Sequence, residues 1–226
     1  TSNSDIPAFV SGFPVDFALA RQPATSESWS TNARLMGTNQ LKTDTSAAQG
    51  SDSDMTFDFN NGFFKNTSDM SAYQSWMWKR HAGFDVVTYE GNLPSRQIPH
   101  SLNKTPEMIW VKRRNSARSW NVYHKGLNGG SSPEDYILKL DTTDAEANDD
   151  VWNDQAPTST HFVVGNSQST NGNGDDYIAM LFASVSGISS VGSYNGSSSA
   201  QTITTGFQPR FVIIRQTNEA NWVVLD

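Results

Sequence analysis

The 226-residue sequence contains no cysteine, which excludes disulfide staples, thiolate metal sites and a cysteine nucleophile. Charge is scarce: 17% of residues are Asp, Glu, Lys or Arg, against about a quarter in an ordinary soluble domain. What charge there is leans acidic, with a formal net charge of −7 and a pI near 5.0. The one basic cluster is Lys112-Arg113-Arg114 with Arg118, so a nucleic-acid partner is disfavoured. Long apolar runs are missing as well. Stretches such as Phe211–Ile214 fall far short of the roughly 20 residues of a membrane-spanning helix, and membrane insertion is not expected. No signal peptide is visible at Thr1 and no initiator Met is present, which reads as a processed product or a piece of something longer.

What the chain has is aromatic and neutral-polar mass. Seven Trp, six Tyr and twelve Phe accompany 67 Ser, Thr and Asn residues. That is too aromatic for a disordered chain.

The sequence repeats itself. Phe17-Ala18-Leu19-Ala20-Arg21 follows Pro14 and precedes Trp29. Met108-Ile109-Trp110-Val111-Lys112 follows Pro106 and precedes Trp120. Phe211-Val212-Ile213-Ile214-Arg215 follows Pro209 and precedes Trp222. In each, a proline turn leads into an apolar run that ends in a basic residue, with Trp seven or eight positions later. Leu41-Lys42-Thr43-Asp44-Thr45 matches Leu138-Lys139-Leu140-Asp141-Thr142. Tyr73, Trp76, Trp78 and Gly83 match Tyr177, Met180, Phe182 and Gly187. Tyr89-Glu90-Gly91 matches Tyr194-Asn195-Gly196, and Gln97-Ile98 matches Gln201-Thr202-Ile203.

The expected organisation is a first repeat over 1–96, a second over 97–200, and the start of a third over 201–226. A terminal strand without the rest of its unit must pair with an earlier unit or a neighbouring chain, because lone backbone groups at an edge seek partners.

Helical periodicity is nearly absent. Phe9–Val10, Phe17–Ala20, Phe84–Tyr89, Met108–Lys112, Trp120–Tyr123, Tyr136–Leu140, His161–Val164, Tyr177–Ala183 and Phe211–Arg215 read as strands between Gly, Asn, Asp, Ser and Pro turns. Thr142–Asp150 reads as one short helical turn. Short strands at this spacing predict an all-β fold: two tandem β-sandwich-like repeats of about 100 residues, plus a C-terminal strand starting a third unit.

The second repeat carries Gly83-Phe84-Asp85-Val86-Val87-Thr88-Tyr89-Glu90-Gly91-Asn92, then Gln97-Ile98-Pro99-His100-Ser101-Leu102 and Thr105-Pro106-Glu107-Met108-Ile109-Trp110-Val111-Lys112. Trp120-Asn121-Val122-Tyr123-His124 follows, and Tyr177-Ile178-Ala179-Met180-Leu181-Phe182-Ala183 closes the unit. This pattern resembles a repeated domain of phage tail-fibre and virion structural proteins from phages of marine and cyanobacterial hosts. The resemblance covers repeat two and the start of repeat three. Repeat one departs from it, with Leu35-Met36-Gly37 where Tyr-His-Lys is expected. The resemblance implies a virion location, on the host-facing tail appendage, and carries no catalytic residues over.

The chemistry readable from the residues is sparse. His81, His100, His124 and His161 lack H-x-x-x-H or H-E-x-x-H spacing and read as structural. Acidic residues cluster at Asp141, Asp144, Glu146, Asp149 and Asp150, at Asp52 and Asp54, and at Asp175 and Asp176. Such loops could hold calcium, but no EF-hand spacing is present, and solvated loop charge is the plainer reading. A glycosidase carboxylate pair is defined by a separation of about 5 to 9.5 Å, which sequence does not give. No nucleophile elbow or phosphate loop occurs, and Asn171-Gly172-Asn173-Gly174 reads as a hairpin turn.

Aromatics are the stronger candidates. Trp29, Trp120 and Trp222 recur in register and belong in a core. Trp76 and Trp78, two apart on a strand, share one face. Trp152, with Asn153 and Asp154 in a polar setting, is the candidate ligand-binding group: a sugar platform, or equally a loop anchor in the core.

The expectation is a non-enzymatic segment of a tail fibre or spike that contributes to host-surface glycan attachment, with no cofactor and no catalytic or metal-binding residues. Its partners would be other virion proteins, copies of itself (a homotrimer by family analogy, with multivalent avidity) and a host glycan. A capsid or tail decoration protein is the alternative. A carbohydrate-binding module or glycan-degrading enzyme is the second alternative.

Overall fold

The computed structural model describes residues 7–53, 55–65, 72–81 and 83–226. It is all-β, with short 3-10 turns between strands. The first unit contains β1 (Phe9–Val10), β2 (Phe17–Arg21), β3 (Ser30–Ala33), β4 (Asn39–Lys42), β5 (Gly50–Ser51), β6 (Met55–Thr56), β7 (Gly62–Lys65) and β8 (Gln74–Trp78). β9 (Phe84–Glu90), β10 (Arg96–Pro99), β11 (Met108–Arg113), β12 (Asn121–His124), β13 (Tyr136–Lys139), β14 (Ala147–Asn148), β15 (His161–Val164) and β16 (Asp176–Phe182) follow. β17 (Val212–Ile214) and β18 (Val223–Leu225) end the chain.

The two large sheets have one topology. The first runs β5-β4-β3-β2-β8 and the second β14-β13-β12-β11-β16-β9. Register agrees too: Phe17 faces Ala33 and Trp78, as Met108 faces His124 and Phe182. Ser30 faces Lys42 as Asn121 faces Lys139. Each unit adds a small sheet, β1-β7-β6 in the first and β10-β15 in the second. The hairpin β17–β18 reproduces β11–β12, with Ile213 opposite Val224 as Trp110 is opposite Val122. β9 precedes residue 97 in the chain and pairs with β16 of the second unit.

Side chains on a strand alternate between faces, and here both faces are apolar. Phe17 and Leu19 of β2 join Met108, Trp110, Ile178, Met180 and Phe182 in a core between the two large sheets. Ala18 turns to the small sheet of the first unit, with Phe9, Met55 and Phe63. Ile109, Val111, Tyr177, Ala179 and Leu181 turn to the small sheet of the second, with Ile98 and Phe162. The molecule is therefore layered as small sheet, large sheet, large sheet, small sheet. A strand covered on both faces reads as a continuous apolar run, which is why β11 and β16 stand out in the sequence.

Two expectations are corrected. Thr142–Asp150 forms no helical turn; β14 lies inside it, pairing with β13, and a 3-10 turn follows at Asp150–Trp152. The departure assigned to Leu35-Met36-Gly37 is one of alignment. Ladder register places Asn32-Ala33-Arg34 where Tyr123-His124-Lys125 stand. The ion pair Arg34–Asp16, at 3.3 Å, then matches Lys125–Glu107.

Candidate functional site

Sequence reasoning singled out Trp152, Asn153 and Asp154. Trp152 is 2% exposed and meets Tyr123 edge-on at 6.2 Å in the core beneath the small sheet of the second unit. It offers no ring face to a sugar, so the platform reading is corrected to the loop-anchor reading. The cause is local: Asn153 and Asp154 both adopt left-handed φ, 55° and 48°, and the chain turns sharply there. Asn153 is half-buried and Asp154 exposed. The Asn171-Gly172 turn is likewise no simple surface hairpin. Asn171 is buried and its amide donates to Pro94 O at 2.8 Å and Gly165 O at 3.2 Å. Gly91 lies so close to this turn that a Cβ there would stand 2.2 Å from Gly172 O.

The other candidates are spent on local structure. His100 Nε2 lies 3.2 Å from Thr158 O, and burial holds its pKa below the ordinary value. His124 accepts from Gly126 N–H at 3.0 Å; burial, with the neighbouring Lys125 charge, brings its pKa to about 4. Asp175 pairs with Arg113 at 2.5 Å, Asp144 with Lys139 at 3.1 Å, and Glu146 accepts from Asn128 N–H at 2.9 Å. Asp54 lies outside the described residues. Among the described residues no group of three His, Asp or Glu is placed to hold a metal ion, and no helix is long and apolar enough to cross a membrane.

What the structure assembles instead is a junction. Trp120 Nε1–H of the second unit donates to Lys42 O of the first at 2.9 Å, and Trp222 Nε1–H of the third donates to Lys139 O of the second at 2.8 Å. Arg118 N–H donates to Ser46 O at 2.9 Å, as Ala220 N–H does to Thr143 O at 3.1 Å. Gln49 N–H reaches Arg114 O at 2.8 Å, as Glu146 N–H reaches Thr217 O at 2.7 Å. The basic residue preceding each Trp joins in: Lys112 Nζ donates to Ser46 O at 3.2 Å and Arg215 Nη2 to Asp144 O. One docking contact is thus used twice, head to tail. Lys112 is fully buried, and burial brings its ammonium pKa down to about 8, partly opposed by Asp141.

The third unit also touches the first. Phe211 meets Trp76 and Trp78 at 5.7 and 5.5 Å, and Gln74 hydrogen-bonds Asp226. The three units line an open cleft of about 480 Å³. Leu19, Trp110 and Ile213, equivalent positions of the three units, all line it, together with the half-buried Trp29 and Trp222. Asp44 and Asp141 stand at its wall, where each accepts the backbone N–H of its unit's Trp, at 3.2 and 2.9 Å. Arg21 lies over the Trp29 ring at 5.1 Å, and Trp29 stacks on Trp76 at 5.2 Å. The buried donors Trp110 Nε1 and Arg21 Nε have no partner among the described residues. Aromatic faces, carboxylates and unpaired donors make up a set that suits a polyhydroxylated ligand. Of the recurring tryptophans, only Trp120 is fully buried. The junction's signal was present in the sequence as a basic residue followed seven or eight positions later by Trp, three times over.

A family model described as a domain of unknown function, DUF7483, matches residues 77–226. The chain belongs to that family. The match takes in β9 to β18, and the first unit, with the same strand order as the second, lies before it. No curated protein and no solved structure matches the chain.

Proposed function

We propose that this chain is a structural segment of a phage virion appendage, a tail fibre or spike, and that it contributes to attachment on host-surface glycan. The virion location is supported by the resemblance of the second repeat to tail-fibre domains. The observation that carries the attachment role is the junction cleft, where the half-buried Trp29 and Trp222, from the first and third units, meet Asp44 and Asp141. Sugars stack their C–H faces on such rings and give their hydroxyls to such carboxylates. Immunogold labelling of purified particles with antibody to the chain tests the location, with label expected on the tail appendage. Glycan-array binding tests the ligand class: the chain should retain host-surface polysaccharide, and Trp29→Ala should abolish most of that retention. Absence of retention by the unaltered chain overturns the attachment role.

A second reading is a capsid or tail decoration protein without a receptor role. The repeated head-to-tail docking contact favours it, since that contact builds a scaffold irrespective of any ligand. Label on the capsid shell would decide for it. A glycan-degrading activity would show as new reducing ends lost in Asp141→Asn.

A further inference from the structure

Asp44 and Asp141 hold one place in successive repeats, each two residues beyond its strand, β4 in the first unit and β13 in the second. Each uses one oxygen, Oδ1, to accept a backbone N–H, from Trp29 at 3.2 Å and from Trp120 at 2.9 Å. Those bonds hold both carboxylates at the wall of the junction cleft. The second oxygen of each has no hydrogen-bond partner among the described residues. Two acids, one from each of the first two units, thus bring an unpaired acceptor to one cleft.

The cations nearby are engaged elsewhere. Arg21 is the one basic residue of the lining. Its Nη2 donates to Thr25 O at 3.3 Å, its Nε is buried, and its guanidinium lies over the Trp29 ring at 5.1 Å. Lys112 interacts with the charge of Asp141 but is fully buried, with Nζ donating to Ser46 O at 3.2 Å and Arg113 O at 2.9 Å. Lys139 pairs with Asp144, to whose backbone carbonyl Arg215 also donates. An ionised carboxylate only accepts hydrogen bonds, so this wall selects for donors. A sugar hydroxyl supplies one. A carboxylate, sulfate or phosphate on a sugar supplies none and brings like charge against Asp44 and Asp141. Thr142 and Thr143 of the lining add hydroxyls that serve as donor or acceptor.

We infer that the cleft takes a neutral glycan, whose hydroxyls donate to the unpaired oxygens of Asp44 and Asp141, and that it discriminates against glycans bearing carboxylate, sulfate or phosphate groups. This specificity presupposes the attachment role proposed above: that role puts a host glycan at the junction, and the two carboxylates select its chemical class. The site is set before a ligand arrives. Trp29, whose N–H holds Asp44, is itself held by Arg21 and by stacking on Trp76 at 5.2 Å, so little ordering opposes binding.

Titration calorimetry of the full chain with matched oligosaccharides tests it: oligomers of mannose, glucose and galactose, each beside the oligomer of its uronic acid. The neutral member of at least one pair should bind, and its uronate should bind more weakly by roughly tenfold or more. Asp44→Asn/Asp141→Asn, in which the amide oxygen still accepts the Trp N–H, should lose affinity for the neutral sugar by a similar factor, with a thermal melt showing that the variant folds. If it does not fold, Asp44→Asn alone, at an exposed acid, gives the same reading. A uronate bound as tightly as its neutral counterpart, or variants that bind the neutral sugar unchanged, overturns the specificity and leaves the attachment role standing. If none of these oligomers binds, the glycan array decides: retention on a neutral glycan supports the specificity, retention on an acidic one overturns it, and retention on none removes the attachment role as well.

Discussion

Tyr89 and Tyr194 occupy one place in the repeat and have opposite surroundings. The first stacks within a six-stranded sheet, and the second stands in solvent. Ile98, 2% exposed, and Ile203, 51% exposed, differ in the same way. The sequence of the strand is not what decides. β9 and β10 are strands with β16 and β15 beside them, and among the described residues no strand lies beside 189–204. The hairpin β17–β18 persists without them because it borrows the second unit's Lys139 carbonyl and the first unit's Trp76 and Trp78.

The sharpest way to break this comparison is to remove the same indole from each unit. Trp120 is fully buried with its N–H bonded, so Trp120→Ala should destabilise the chain by ~3–5 kcal/mol in urea unfolding. Trp222→Ala, in a half-buried site, should cost about 1–2 kcal/mol. Equal losses would mean that the third hairpin is as deeply integrated as the second unit.

Asp85 of β9 is replaced by Ser190 in the third unit, and it sharpens the contrast. Its buried carboxylate accepts from Ser101 N–H at 2.7 Å, Ser101 Oγ at 3.0 Å and Arg80 Nε at 2.7 Å. Burial alone would raise its pKa, but these bonds and the Arg80 charge hold it below the usual carboxylate value. Its contribution is therefore complete above that value and disappears as pH falls through the lowered one. Asp85→Asn should cost ~2–4 kcal/mol at neutral pH by stranding Arg80 and should flatten the acid limb of a stability–pH curve.

Lys112 sets the second unit apart by its side chain, because Arg21 and Arg215 occupy its place in the other two. With a folded pKa near 8 against 10.5 unperturbed, the unfolded chain binds the extra proton between those values. Stability should rise with pH across that window. Above the ordinary tyrosine value the trend reverses, since burial raises Tyr123 to about 12 and raises Tyr177 as well. Thermal melts of Lys112→Met should lack the rise.

The smallest effect belongs to the recurring ion pairs. Glu107→Gln and Asp16→Asn should each cost under about 1 kcal/mol, as partly exposed pairs do, and in equal amounts. Both carboxylates also accept a backbone N–H, Glu107 from Ser184 at 2.5 Å and Asp16 from Arg80 at 2.9 Å.

The apolar framework was legible in the residues because β9, β11 and β16 are covered on two faces. β3 was not. Ser30, Thr31 and Asn32 are buried, and Ser30 Oγ lies within hydrogen-bond distance of Asn32 Oδ1 (3.0 Å) and Gln40 Oε1 (3.1 Å). A polar strand satisfied by its own sheet carries no hydrophobic pattern to read. Trp152 misled for the converse reason: polar neighbours in sequence do not report which way a left-handed turn sends a ring. The junction residues come from three units, so their convergence became visible only in space.

The central claim is that each unit docks on the one before it through the same indole-to-carbonyl contact. Hydrogen exchange of the seven indole N–H groups in a 15N-tryptophan-labelled chain tests it directly. Trp120 and Trp222, bonded to Lys42 O and Lys139 O, should both be protected relative to Trp29, whose indole has no carbonyl partner among the described residues. Exchange of Trp222 as fast as Trp29, beside a protected Trp120, would contradict the account.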